Sequence, residues 1–359
     1  MVVYELSQLK PGMLTAEDVF TPRGQLVVPR ASRLTQQMIQ HMKYYGVSTV
    51  TVLPDEVAPA DDSQEEREKS YEKRIRNNQE FLHFKKDYSQ SISLFQSHLH
   101  YFLKGEAELN TQTMLQDTLR LFDNNLTSFS MLDMLHNLHD LDDSTYVHSI
   151  NVAVIARLLG IWSGLDSADL DVLTLCGLLH DLGKTQIPDE ILCKPDYLTD
   201  EEYETIKTHS SLGYEMVKDS ALDPRIKQAI LMHHERYDGK GYPLHIAGDQ
   251  IPDFAAMVSI ADVYDALTSD RCYRTALCPF EVIAMFEKNG LAEYHPKYIL
   301  TFLKNIAQTY LHHHIALNDG STGEIMMINE RITRPLIRLD NGEFVNLEKR
   351  LDLYVEEII

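Results

Sequence analysis

The sequence predicts a mainly α-helical protein: a helical bundle preceded by a small mixed α/β module and followed by a small β-rich appendage. Three observations predict this fold class. Apolar residues recur at helical spacing over most of the 359 residues. Near the amino terminus, residues 26–28 and 47–53 are short β-branched runs bounded by Gly or Pro. After residue 314, turns rich in Asn, Asp and Gly separate short apolar runs.

Composition shifts divide the chain into four predicted segments. Residues 1–53 form the mixed module, with a helical apolar pattern between its two strands. Residues 54–129 contain a polar, acidic linker and then amphipathic helices. Residues 130–314 form the bundle, and residues 315–359 form the β appendage. An aromatic stripe within residues 69–129 suits core packing or a homodimer interface, and the sequence leaves both open.

The charge balance excludes one class of partner. The chain has 33 Lys and Arg against 54 Asp and Glu, a formal net charge of −21. Non-specific binding of a nucleic acid polymer requires basic patches, so we expect none. Residues 130–314 alone carry −14. An anionic ligand of the bundle must therefore be held by local cations or by metal ions.

The expected compartment is the cytoplasm. Four cysteines without a CxxC motif fit a reduced chain better than a disulfide framework. The first residues lack the basic and apolar regions of a signal peptide. No uninterrupted apolar run reaches the ~18 residues of a transmembrane helix, so no membrane span is expected.

Two histidine-containing pairs close apolar helical segments. Residues 170–182 are apolar nearly all round, which predicts a buried helix. His180 and Asp181 lie at its end, where a buried carboxylate is costly unless a cation neutralises it. His233 and His234 follow a second apolar segment in the same way. A metal ion is the expected partner of such groups.

A longer series of metal-ligating residue types has regular spacing. Its members are separated by steps of 32, 29, 24 and 28 or 29 residues, and they are His148, His180-Asp181, His209, His233-His234 and Asp262. Each step is about one helix plus a connection, so a bundle can bring the series together. The set exceeds one tetrahedral site and suits two metals bridged by Asp181. Nitrogen and oxygen ligands fit Fe or Mn, with Zn and Ni open as alternatives. Two adjacent cations acidify a water and neutralise a phosphate, which favours phosphoester hydrolysis.

At these residues the sequence resembles the HD-GYP family of bacterial phosphodiesterases. Four strings carry the resemblance in order: HSINVA (148–153), HDLGKTQIPDEIL (180–192), HHERYDGKGYP (233–243) and ADVYDALTSDRCYR (261–274). HDLGK alone would indicate only the wider HD hydrolase superfamily, and the GYP string narrows it. The resemblance implies an HD-type helical bundle over about residues 130–314. It also implies hydrolysis of cyclic di-GMP to pGpG, or on to GMP.

The resemblance implies roles for individual residues as well. The metal ligands that carry over are His180, Asp181, His209, His233, His234 and Asp262. Asp181 and Lys184 are the expected catalytic residues. Substrate contacts are expected from Lys184, Tyr242, Asp265, Arg271 and Arg274. Arg offers a planar fork to phosphate or a guanine edge, and Lys offers a point charge.

One departure from the family pattern bears on the metal count. Members with three metals have a glutamate four residues before the histidine that matches His148, and Ser144 stands there in this chain. We therefore expect two metals, with His148 as a direct ligand. Ser144 also leaves open an alternative function, in which the protein binds cyclic di-GMP as a sensor without cleaving it. The other alternative is hydrolysis of another cyclic dinucleotide or of a nucleotide.

Overall fold

The computed structural model describes residues 79–122, 145–192, 198–269 and 276–359, residue 194, and parts of 2–52 and 131–138. The chain forms two compact units, residues 1–70 and 71–359. Each unit has its own hydrophobic core. The predicted polar linker lies outside the described residues.

The first unit contains two small antiparallel sheets. One pairs β1 (Val2–Glu5) with β4 (Thr49–Val52), and the other pairs β2 (Val19–Phe20) with β3 (Leu26–Val28). The predicted strands near residues 26–28 and 47–53 are confirmed. Most of the helix predicted between them lies outside the described residues.

The second unit is a helical bundle that carries a sheet, and the predicted fold class is confirmed. Its described helices are α1 (Gln79–Leu103), α2 (Thr111–Leu119), α3 (Thr145–Trp162), α4 (Ser167–Leu179), α5 (Asp189–Leu192), α6 (Asp200–Lys207), α7 (His209–Val217), α8 (Pro224–Met232), α9 (Asp253–Thr268), α10 (Pro279–Glu293) and α11 (Pro296–Ile306). A 3-10 turn, Leu182–Gln186, follows α4.

Helix α3 lies in the middle of the bundle, packed against α4 and α9. Its length and apolar composition would also suit a membrane span, but 61% of it is buried inside the bundle. Apolar side chains on nearly every face suit a helix surrounded by other helices. Core packing thus accounts for its composition.

The aromatic stripe predicted in residues 69–129 lies on α1 and is part of the core. Phe81, Phe84, Tyr88 and Phe95 are each at most 3% exposed, and α1 packs against α3. These rings are buried within their own unit, so they do not support a homodimer. The homodimer stays a prediction without that support.

The carboxyl-terminal residues form a five-stranded antiparallel sheet, in agreement with the predicted β appendage. The strands are β5 (His314–Leu317), β6 (Thr322–Met327), β7 (Leu336–Leu339), β8 (Phe344–Asn346) and β9 (Val355–Ile358), in the order β8-β7-β6-β5-β9. The predicted turns are confirmed, because Gly320 and Gly342 adopt φ of 82° and 88° between paired strands. Ile315, Ile325 and Ile337 join the hydrophobic core of the bundle.

Candidate metal centre

The structure brings together all seven predicted metal ligands. They form two groups: Asp181, His209, His233 and His234 in the first, and His148, His180 and Asp262 in the second. Within each group, every residue has a ligand atom that lies within 4.8 Å of the ligand atoms of the others. The side chains come from the first turn of α3, the middle of α9, the ends of α4 and α8, and the start of α7. All are buried except the partly buried His234.

A close backbone approach places Asp181 beside His209. A Cβ atom on Gly183 would lie 1.9 Å from the His209 carbonyl oxygen, a separation that only glycine avoids. The 3-10 turn therefore lies directly on the first turn of α7. Asp181 Oδ1 is consequently 3.4 Å from His209 Nε2.

Three of the imidazoles are oriented by the backbone. Nδ1 of His180, His209 and His233 lies 2.7, 2.7 and 3.0 Å from a carbonyl oxygen of the preceding turn. Each ring therefore donates its Nδ1 proton outward and leaves the Nε2 lone pair facing the centre. This is the tautomer that binds a metal ion.

The two oxygens of Asp181 face different ligand groups. Oδ2 is 3.3 Å from His180 Nε2 and 3.6 Å from His148 Nε2. Oδ1 is 3.4 Å from His209 Nε2 and 3.9 Å from His233 Nε2. One carboxylate thus stands between the two groups, as the bridging role predicted for Asp181 requires.

Buried lone pairs in the centre fit bound cations. His180 Nε2 and Asp181 Oδ1 are buried and have no hydrogen-bond partner among the described residues. His209 Nε2 and His233 Nε2 lie 3.2 Å apart, although each ring already donates its other nitrogen. Buried acceptors that face one another without a proton are costly, and a divalent cation removes that cost. The donor set therefore fits metal ions.

Electrostatics keep five of the seven ligands in their metal-binding protonation states: Asp181, Asp262, His209, His233 and His234. Burial would raise the pKa of Asp181 and Asp262, but nearby His180, Lys184 and His148 hold both well below the usual range. Burial lowers the pKa of His209 and His233, and it lowers the pKa of His234 to about 3. These three imidazoles are neutral at pH 7.

His148 is held differently, between two carboxylates. Its Nε2 lies 2.9 Å from Asp262 Oδ1, and its Nδ1 lies 2.6 Å from Asp265 Oδ2. Burial disfavours the imidazolium, but the hydrogen bonds to both aspartates outweigh it and raise the pKa of His148 to about 9. Asp265 also accepts hydrogen bonds from Asn151 and Ser269. These bonds give Asp265 a role in orienting His148. The substrate contact predicted for Asp265 stays a prediction.

Two further predicted residues lie beside the ligands. Lys184 Nζ is 2.5 Å from Asp181 Oδ2, and the lysine side chain is 23% exposed. The Tyr242 ring stacks on His234 with centroids 4.7 Å apart. Both can meet a molecule that reaches the metal centre. Arg271 and Arg274, also predicted to contact substrate, lie outside the described residues, as does Ser144.

Glu235 is a residue that the sequence reasoning missed. Its side chain is buried, and Oε1 accepts the backbone N–H groups of Leu244 (2.6 Å) and His245 (3.1 Å). The glycine-rich loop is close-packed there, since a Cβ on Gly241 would lie 2.4 Å from Glu235 Cα. Glu235 thus fixes the loop of Tyr242 to the end of α8. The available signal was an acidic residue directly after His233-His234.

Comparisons with known proteins identify a family and several relatives of this chain. Residues 112–298 match the HD domain family. The cyclic di-GMP phosphodiesterase PA4108 of Pseudomonas aeruginosa is 37% identical over 196 residues, which cover 54% of this chain and 46% of that protein. The 3'3'-cGAMP-specific phosphodiesterase 2 of Vibrio cholerae is 37% identical over 132 residues, covering 36% and 25%. This chain therefore spans less than half the length of either relative.

A solved structure shares the fold. Bd1817, an HDG"Y"P protein from Bdellovibrio bacteriovorus, aligns with a TM-score of 0.52 over 85% of this chain and 99% of that chain. The two sequences are 17% identical. At that identity the likeness extends to the fold alone.

Proposed function

This chain belongs to the HD domain family, and from that membership and its metal centre we propose that it hydrolyses the phosphodiester bonds of cyclic di-GMP to pGpG, or on to GMP. One observation carries the proposal. Two groups of nitrogen and oxygen ligands share the carboxylate of Asp181. The cyclic di-GMP phosphodiesterase of Pseudomonas aeruginosa, 37% identical over the matched residues, supports the choice of substrate.

We assign the centre to two divalent cations, Fe or Mn in preference to Zn or Ni. Oδ1 of Asp181 would hold one ion with His209, His233 and His234. Oδ2 would face the other ion, held by His148, His180 and Asp262. When bound, such a pair of cations polarises a phosphodiester and lowers the pKa of water.

Among the described residues, the positively charged group nearest to Asp181 is the ammonium of Lys184. Hydrolysis forms a bond from a water oxygen to phosphorus and breaks the bond from phosphorus to the 3′ oxygen, which leaves with a proton. Negative charge grows on the phosphoryl oxygens during this step. An ammonium held 2.5 Å from Asp181 Oδ2 is placed to stabilise that charge. Arg271 and Arg274 remain proposed substrate contacts.

The full chain, purified without oxygen and loaded with Fe or Mn, tests the proposal. It is incubated with cyclic di-GMP, 3'3'-cGAMP and a nucleotide monoester, and products are separated by chromatography. We expect cyclic di-GMP to give pGpG or GMP, and a chelator to stop the reaction. Saturable binding of cyclic di-GMP without product would instead indicate a sensor. Cleavage of 3'3'-cGAMP alone would identify that dinucleotide as the substrate instead, in line with the name of the Vibrio cholerae relative.

A further inference from the structure

Lys207 places a second ammonium at the edge of the metal centre. This last residue of α6 directs Nζ over two rings, 4.9 Å from the centroid of Tyr203 and 5.7 Å from that of Tyr242. The Tyr242 ring stacks in turn on His234. A single aromatic ring therefore separates the Lys207 ammonium from a metal-ligand histidine.

The ammonium of Lys207 is available to a ligand. Its ion pair with Glu204 Oε1 measures 2.6 Å, but the Glu204 side chain is 67% exposed. An exposed pair of this kind is held weakly in water, and a phosphate can replace the carboxylate. Tyr203 is half exposed, and cation–π contact with the rings keeps the ammonium in place without neutralising its charge.

Lys218, the residue directly after α7, provides an internal comparison. It forms the same kind of pair, 2.6 Å from the glutamate three residues earlier, Glu215. Among the described residues it has no aromatic ring beneath its ammonium, and its side chain is 43% exposed. Both lysines follow a tyrosine by one helical turn, Tyr203 before Lys207 and Tyr214 before Lys218, so the contact with Tyr203 alone is local. The contact that distinguishes Lys207 is the one with Tyr242, a distant residue, and it comes from the position of Lys207 next to the Tyr242 loop.

A cyclic dinucleotide has two phosphates, and only one lies at the reacting centre in each cleavage. The bundle segment 130–314 has a charge of −14, so each phosphate needs a local cation. Lys184 is placed beside Asp181, where the reacting phosphate would bind. We infer that Lys207, held by Tyr203 and Tyr242, binds the second, non-reacting phosphate of the cyclic dinucleotide. This inference rests on the proposed function of the same site.

The test uses Lys207→Met in the full-length, metal-loaded chain, with Lys218→Met as the matched control. Methionine keeps most of the side-chain length over the two rings and removes the charge. We expect the KM for cyclic di-GMP to rise about 10-fold, with kcat within about twofold, since the lost contact is equal in the ground and transition states. Lys218→Met leaves both constants unchanged, and Lys207→Arg restores the KM.

A one-phosphate substrate separates this role from a general effect. Bis(p-nitrophenyl) phosphate has no second phosphate, so Lys207→Met should hydrolyse it as the unsubstituted chain does. An unchanged KM for cyclic di-GMP, or an equal loss on both substrates, would overturn the inference.

The Kd for cyclic di-GMP, measured by calorimetry, distinguishes the failure of this inference from the failure of the proposed hydrolytic function. If the chain binds without cleaving and Lys207→Met still weakens binding about 10-fold, the phosphate site stands and the hydrolytic function fails. Absence of binding overturns both.

Discussion

At the scale of single residues, His148 shows how neighbouring carboxylates set the charge of a ligand. Its pKa is raised to about 9 by Asp262 and Asp265 against the effect of burial. In the metal-free chain, the pairing of the His148 imidazolium with these two carboxylates stabilises the fold. This stabilisation is fully present below the pKa of histidine in the unfolded state, about 6.5. That stabilisation declines as the pH rises and is lost through about 9. As a metal ligand the same ring must be neutral, so metal binding has to displace its proton.

We predict that Asp265→Asn lowers both metal affinity and proton release. Asparagine keeps the shape behind His148 but removes one of the charges that raise its pKa. At pH 8 the variant should release fewer protons on metal binding, measured by calorimetry in buffers of different ionisation enthalpy. Metal affinity should fall about 10- to 100-fold. Asp219→Asn, an exposed control, should match the unsubstituted chain, and equal proton release in Asp265→Asn would contradict the account.

Glu235 carries a second prediction at this scale. Glu235→Ala leaves the N–H groups of Leu244 and His245 without their acceptor, at a cost of about 1–3 kcal/mol in unfolding free energy. Denaturant unfolding measures the loss, and hydrogen exchange locates it at those two amides. Glu215→Ala, whose side chain is 60% exposed, is the control. Unchanged exchange at both amides would show that Glu235 does not hold the loop.

At the scale of elements, the packing of the 3-10 turn against α7 leaves no room for a side chain at Gly183. Gly183→Ala would place a methyl group against the His209 carbonyl, with no flexible side chain to yield. We expect a loss of about 1–3 kcal/mol in unfolding free energy, together with weaker metal binding. Gly290→Ala in α10 is the matched control, because its nearest atom is a side-chain carbon 3.1 Å away. Equal stability of the two variants would contradict the close approach.

Element-level patterns predicted much of the fold. The apolar run 170–182 predicted the buried helix that ends beside His180, and turn residues predicted the carboxyl-terminal strands. The steps between ligands were predicted to hold one helix each, but the step from His180 to His209 contains a 3-10 turn and two helices. Periodicity locates helices better than it counts short ones. The seven ligands still meet, because the ends of four helices converge on the middle of α9.

Other features depend on contacts between distant residues and left little trace in the sequence. The Nδ1 bonds that orient three histidines go to backbone carbonyls, which every residue type provides. The aromatic stripe of α1 is equally suited to a core or to a dimer, and only the packing against α3 decides. The sequence indicated Asp265 only as a substrate contact, and Lys207 is an ordinary helix residue in sequence. The contact of Asp265 with His148 and that of Lys207 with Tyr242 both depend on packing between distant segments.

At the scale of the whole molecule, the metal centre belongs entirely to the second unit. All seven ligands and Lys184 lie within residues 71–359, which have a separate hydrophobic core. We predict that a fragment of residues 71–359 folds and binds as many metal ions as the full chain. Elemental analysis and circular dichroism of both proteins check this. A fragment that unfolds or loses its metal would show that the site depends on the first unit.

The most direct test of the account counts metal ions and turnover on the same sample. Full-length protein purified without oxygen is analysed for metal and assayed with cyclic di-GMP, beside Asp181→Asn and the exposed control Asp189→Asn. We predict about two ions per chain with hydrolysis of cyclic di-GMP in the unsubstituted chain and the control, and loss of both in Asp181→Asn while the helices persist. Full turnover and metal content in Asp181→Asn would contradict the claim that this carboxylate joins two metal sites.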